Sequence, residues 1–268
     1  MNGETRGGSF VVDANGRNEV ALGRTLWSPQ WSPDGSRIAF RNHIATGESD
    51  LYTIRPDGSD LRRLSDQTGD ELTPMWSPDG QEILYLHNTA GSQPELWIVT
   101  ADGSTRRQIT LPTSAMNARW SPDGDEIVFD NGSGVWIAAA DGTNARPFTP
   151  NCTAAGACSG TDRYLFPAWS PDGQRLAYAR EQNGAMWSLV IAHANDATTP
   201  IADVAATILC CEVLVPHWSP DGTHLAFDTR LPGAPWPAIA VVDANGNGMR
   251  YVTGEENAFP RGWRPGIR

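Results

Sequence analysis

Short apolar runs recur along the whole chain, each only a few residues long. Ile38-Ala39-Phe40, Leu51-Tyr52-Thr53-Ile54, Ile83-Leu84-Tyr85-Leu86, Leu96-Trp97-Ile98-Val99, Ile127-Val128-Phe129, Leu176-Ala177-Tyr178 and Leu225-Ala226-Phe227 are examples. Between them lie polar clusters rich in Gly, Pro, Asp, Asn and Ser. Runs this short, rich in branched and aromatic residues and bounded by turn formers, predict β-strands. No segment sustains a helical period, so the pattern predicts an all-β chain.

The turns repeat as well as the strands. Trp-Ser-Pro-Asp-Gly begins at Trp31, Trp76, Trp120, Trp169 and Trp218, in steps of 45, 44, 49 and 49 residues. A worn sixth copy, Trp263-Arg264-Pro265-Gly266, follows after a further 45 residues. Pro suits the second position of a type I turn, and the Gly behind it takes the left-handed conformation that closes a bulged hairpin. In the second copy, strand A ends at Trp76, strand B runs over 82–86, strand C over 95–99, and strand D follows Asp102-Gly103 at 106–110. Four antiparallel strands in a period in the mid-forties make one blade of a β-propeller.

The plan gives one domain over 1–268, with blades at about 25–65, 72–110, 115–149, 164–203 and 213–253. The sixth blade combines about 257–268 with 8–22, because Phe10-Val11-Val12-Asp13-Ala14-Asn15-Gly16 nearly repeats the strand C segment Val241-Val242-Asp243-Ala244-Asn245-Gly246. Only Gly266-Ile267-Arg268 remains to form its strand B. That blade is therefore expected to be a strand short, patched by 3–7, completed by a partner strand, or part of a longer protein.

Composition narrows the partners. The net charge is −11, and all 20 basic residues are Arg. Phosphate binding needs a basic stripe, and none is present, so nucleic acid is not an expected partner. No apolar run approaches the ~20 residues needed to span a bilayer. The four cysteines fall in the two long steps, Cys152 and Cys158 before the fourth Trp repeat and Cys210 and Cys211 before the fifth. An even count in neighbouring insertions favours disulfides and an oxidising compartment, with three pairings open; four free thiols are the alternative.

Residues 31–65, with Trp-Ser-Pro-Asp-Gly followed by Ile-Ala-Phe, Leu-Tyr-Thr-Ile, Asp-Gly and Arg-Arg-Leu-Ser, resemble the TolB-type propeller repeat. The resemblance extends across essentially the whole chain. It implies a six-bladed ring and a periplasmic or extracellular setting. The family spans envelope binding proteins, propellers that accompany peptidases, and some polysaccharide lyases.

Propellers usually bind at the loop rim around the central channel, since loops on a rigid scaffold carry function. Residues just past each strand B are expected there: Arg41, His87, Asp130, Arg180 and Asp228, with His43 beside them and His217 on a strand A. Trp236, in the Pro-rich stretch 231–237, is suited to stacking on a sugar or a peptide; the alternative is that it folds back over its own loop. The alternative for the whole set is a solvated polar rim. The expected ligand is a protein, a peptide or a carbohydrate.

Catalytic signals are sparse. The chain has no Gly-x-Ser-x-Gly elbow and no His-Glu-x-x-His, the arrangements that serine and zinc hydrolysis would use. A lyase or hydrolase with a channel metal is the alternative to pure recognition; His43, His87 and His217 are the histidines placed to serve it. Asp243-Ala244-Asn245-Gly246-Asn247-Gly248 matches the first half of a calcium loop, but its twelfth position is Gly254 instead of Glu. An Asn-Gly hairpin turn is the simpler expectation, and no cofactor is expected.

Overall fold

The structure is a computed structural model, described here over residues 8–13, 17–44, 47–150, 160–183, 186–206, 215–230 and 237–252. The predicted all-β architecture is found. The chain divides into two compact units, Met1–Thr110 and Leu111–Arg268.

The first unit holds three sheets. β1 (Phe10–Val11) pairs with β2 (Val20–Ala21). A four-stranded antiparallel sheet follows from β3 (Trp27–Trp31), β4 (Ile38–His43), β5 (Ser49–Ile54) and β6 (Arg62–Arg63). The next is β7 (Asp70–Trp76), β8 (Glu82–Asn88), β9 (Glu95–Thr100) and β10 (Arg106–Ile109). The second unit holds β11 (Met116–Trp120), β12 (Glu126–Asp130), β13 (Val135–Ala139) and β14 (Arg146–Pro147) in one sheet. β15 (Arg163–Trp169), β16 (Arg175–Gln182), β17 (Met186–His193) and β18 (Ala202–Ala206) form the second, and β19 (His217–Trp218), β20 (His224–Arg230), β21 (Pro237–Asp243) and β22 (Arg250–Tyr251) the third. Each of the five Trp repeats thus builds one meander of four strands in sequence order. The C-terminal half of the expected sixth blade lies outside the described residues.

Both faces of the inner strands are covered, which is why they read as apolar runs instead of alternating patterns. In β4, Ile38 and Phe40 pack with Leu22, Leu26 and Ile54, while Ala39 between them faces Leu51, Ile83, Tyr85 and Val99. In β16, Leu176 and Tyr178 pack with Val128, Val135 and Ile137, while Ala177 and Ala179 face Leu225, Phe227 and Val242. Large residues on one face and small ones on the other let neighbouring sheets interlock.

The repeated turn is held the same way in all five copies. The hydroxyls of Ser32, Ser77, Ser121, Ser170 and Ser219 donate to Asp34, Asp79, Asp123, Asp172 and Asp221 at 2.5–2.6 Å. Each serine oxygen also accepts from the backbone N–H five residues on, at 2.9 Å. The turn glycine lies at φ +67 to +82 in every copy, where a side chain would be strained. The Asn245-Gly246 turn follows similar logic: Asp243 Oδ1 accepts from the backbone of Asn245 and Asn247, both at 2.8 Å.

The repeat tryptophans are expected to pack between sheets, and most do. Trp76 and Trp120 are buried, and Trp169 and Trp218 half-buried. Trp76 Nε1 donates to Gln30 O and Trp218 Nε1 to Ala168 O, each at 3.2 Å, tying one sheet to the next. Trp31 differs, with 51% of its surface exposed.

Candidate functional site

The first strand of four repeats carries a feature that positions the residues after it. Three residues before the Trp, the backbone turns to positive φ at Ser28 (+50), Thr73 (+48), Asn117 (+48) and Phe166 (+54). The strand register shifts at the same points, between Trp27 and Gln30, Leu72 and Met75, Met116 and Arg119, and Leu165 and Ala168. These are β-bulges, which bend a strand and re-aim the side chains that follow. A bulky residue such as Phe166 at positive φ is an uncommon state and needs support from its surroundings.

Asp130 gives that support in the second unit. Its side chain is buried; Oδ2 accepts from Asn117 Nδ2 at 2.8 Å and from the Phe166 amide at 3.0 Å, and Oδ1 from the Gly132 amide at 3.1 Å. One carboxylate therefore braces the bulges of two adjacent sheets. Burial pushes its pKa up, against lowering by those donors and by the charge of Arg119.

Beside this brace lies a cavity of about 260 Å³. Phe166, Pro167, Ala168 and Trp169 wall one side, Val215, Pro216, His217 and Trp218 another, with Arg119 and Pro171 completing it. Trp218 is fixed on its outer side by the Arg175 guanidinium, 4.8 Å from the ring centroid. Arg119 is half-buried; burial lowers its pKa while Asp130 raises it, and a guanidinium remains protonated regardless. His217 is held below the ordinary histidine range, first by burial and then by the charge of Arg119, so it is neutral at pH 7. The chemistry offered is hydrogen-bond donation and one positive charge within proline and aromatic walls.

The other residues read from the sequence fall elsewhere. Strand B was expected to end before them, but β4, β8, β12, β16 and β20 run far enough to include them. Counted from the buried aromatic of each strand, Arg41, Asp130 and Asp228 are one residue on, whereas His87 and Arg180 are two on. A strand alternates faces, so the two groups point to opposite sides of their sheets. Arg180 pairs with Asp203 on β18. His43 is exposed and meets Trp27 edge-on, with ring centroids 5.8 Å apart. Arg41 is half-buried opposite Trp27 and Leu51, and Asp228 is half-buried opposite Ile239. Trp236 and Cys152, Cys158, Cys210 and Cys211 lie outside the described residues.

His87 is buried, with Nδ1 3.0 Å from Glu71 Oε2. Glu71 is itself completely buried, and burial drives its pKa up despite the hydrogen bond and charge of His87. Sequence reasoning missed both Glu71 and Arg119, yet a signal exists. Five residues before the Trp, the other repeats carry Leu26, Ala115, Tyr164 and Val213, so Glu71 is the odd member. Immediately before the Trp stand Gln30, Met75, Arg119, Ala168 and His217; the last three line the cavity, two of them with a guanidinium or an imidazole.

Known proteins share this architecture. Residues 10–154 match the model of the TolB β-propeller domain. TolB from Acinetobacter baumannii is 19% identical with a TM-score of 0.66, over 90% of this chain and 58% of that one. A putative TolB from Agrobacterium tumefaciens is 17% identical with a TM-score of 0.63, over 91% and 89%. A puromycin-hydrolyzing peptidase of Mycobacterium tuberculosis gives 16% and 0.64, over 87% and 38%. At these identities the likeness is one of fold. In sequence, dipeptidyl-peptidase 5 of Porphyromonas endodontalis is 41% identical over 59 residues, 21% of this chain and 8% of that protein. The chain thus spans a small part of that curated relative and a little over half of the Acinetobacter TolB. No helix among the described residues is long and apolar enough to cross a membrane. With five meanders of four strands, the Trp-Ser-Pro-Asp-Gly turn and the matched model over half its length, the chain belongs to the TolB β-propeller domain family.

Proposed function

We propose that this chain is a non-catalytic recognition propeller of the cell envelope or extracellular space, binding a protein or peptide through the cavity of its second unit. The observation that carries the reading is the cavity itself: proline and aromatic walls, a rigid bulged strand, and two donors, Arg119 and His217. Largely preformed apolar clefts with a few convergent polar groups are where ligands bind. Protein labelled with ¹⁵N at the indoles, titrated with peptide and oligosaccharide panels, tests it. Peptides should shift the Trp169 and Trp218 indole signals, and His217→Ala should weaken them about tenfold, the loss of one well-placed hydrogen bond. A response to sugars alone would move the reading to the carbohydrate-active alternative; silence of both indoles to every ligand would end it. The setting is tested by mass spectrometry after alkylation, where four free thiols at Cys152, Cys158, Cys210 and Cys211 would remove its support.

A second reading is favoured by the 41% identity to a dipeptidyl-peptidase over 59 residues. On it, the propeller is an accessory domain of a larger peptidase-like protein. Sequencing the gene on both sides decides: a catalytic domain in the same reading frame is the expected result, and its absence ends this reading.

A further inference from the structure

We propose that the cavity between β15 and β19 is a carboxylate subsite, with Arg119 as its charged anchor and the Trp169 indole and the His217 ring beside it. The inference rests on the recognition reading above and specifies what is recognised. Three observations lead to it independently.

The first is a charge with no direct ion pair among the described residues, the Asp130 carboxylate acting on it only through space. The Arg119 guanidinium makes one hydrogen bond, from Nη1 to the carbonyl of adjacent Ala118 at 2.9 Å, and no ion pair among the described residues. Asp130, whose charge it feels, is already committed to Asn117, Phe166 and Gly132. A half-buried cation without a counter-ion is costly, and an incoming anion relieves that cost. The fork of a guanidinium also matches a carboxylate better than any other common group.

The second is a donor left over by the repeat. The indoles of Trp76 and Trp218 each find a backbone carbonyl of the preceding sheet at 3.2 Å. Trp169 occupies the same repeat position, but its Nε1 is buried without a hydrogen-bond partner among the described residues. A buried N–H in that state is one of the few exceptions folded proteins tolerate, and the indole that carries it forms part of a cavity wall.

The third is the sign of the lining. Among the described residues no acidic side chain is in the walls, and every polar side chain there can donate. The remainder is proline and aromatic surface, which accommodates the apolar side chain that accompanies a carboxylate in a peptide. Asp and Glu side chains and the free C-terminus of a peptide all present that chemistry.

The test compares three capped dipeptides on the intact protein: N-acetyl-Pro-Phe as the free acid, the same peptide as its amide, and N-acetyl-Glu-Phe-amide. Trp169 and Trp218 indole signals report occupancy. The free acid or the Glu peptide should bind at least tenfold more tightly than the Pro-Phe amide, and which of the two leads assigns the source as peptide terminus or side chain. Arg119→Gln should erase that preference, with Arg119→Lys retaining part of it. If Arg119→Gln fails to fold, the ranking of the three peptides on the unaltered protein still decides. Equal binding of all three overturns the carboxylate subsite while leaving recognition standing. No indole response to any peptide overturns both.

Discussion

At the residue scale, the most informative departure from the repeat is Glu71. Leu26, Ala115 and Tyr164, its equivalents, are buried apolar residues, so the position belongs to the core, and there Glu71 is completely buried against His87. Breaking such a pair leaves one polar partner stranded, so His87→Ala should cost on the order of 3 kcal/mol in urea unfolding. The double substitution Glu71→Leu with His87→Asn recreates the Leu26 and Asn42 pair of the first repeat and should be at least as stable as the parent. A double variant weaker than either single one would show that the pair stabilises the fold outright. The pH dependence has a definite sign. Burial raises the Glu71 pKa above that of the unfolded chain, so protonation favours the fold. The contribution is complete below about pH 4.3 and fades as pH rises through the raised value. The stability advantage of the parent over Glu71→Gln should therefore shrink from pH 4 to pH 8; a constant difference would refute it.

At the element scale, the bulged inner strands determine what the cavity presents. Bulges let a strand point two successive residues differently from the regular pleat, and here they precede Arg119 and Ala168. Asp130 joins the bulges of β11 and β15, so it acts as a positioning residue for the cavity. Asp130→Ala removes the acceptor shared by the Phe166 amide and the Asn117 side chain, and should cost about 3 kcal/mol. It should also shift the indole signals of Trp169 and Trp218 in the ligand-free protein. Asp130→Asn keeps some acceptors and should fall between; loss of stability with unmoved indole signals would leave Asp130 a plain core residue. None of this was legible in the sequence. The bulge arises from pairing between strands, and neither Asn117 nor Phe166 belongs to a residue type that announces positive φ through a Gly.

At the scale of the whole molecule, the same small device is used five times, and its electrostatics add up. Serine hydroxyls, and backbone amides after them, pull Asp34 and Asp221 down to about 2 and lower Asp79, Asp123 and Asp172 likewise. A carboxylate with a depressed folded pKa stabilises the fold above its unfolded value of about 3.9. That contribution is lost as pH falls toward 2, opposite in sign to Glu71. Acid unfolding should accordingly steepen below about pH 4, with Asp34 and Asp221 titrating at about 2 and Asp79, Asp123 and Asp172 below the ordinary carboxylate range by carboxyl NMR. Ser219→Ala should return Asp221 toward the ordinary value; an unchanged Asp221 would mean that the hydroxyl is not the cause. The net charge of −11 is a property of the molecule as a whole, and makes Arg119, without a direct ion pair among the described residues, stand out.

The sequence alone determined the sheets: period, turns and apolar runs specify four-stranded meanders because hairpin chemistry is local and each blade repeats it. In the N-terminal segment β1 pairs with β2. Only the tertiary structure decided which polar residues meet. The reading of Arg41, His87, Asp130, Arg180 and Asp228 as one set mixed two faces of the strands, since a one-residue offset reverses direction. Arg119, Trp169 and His217 come together from three different repeats, a proximity that depends on sheets packing and strands bulging rather than on spacing along the sequence.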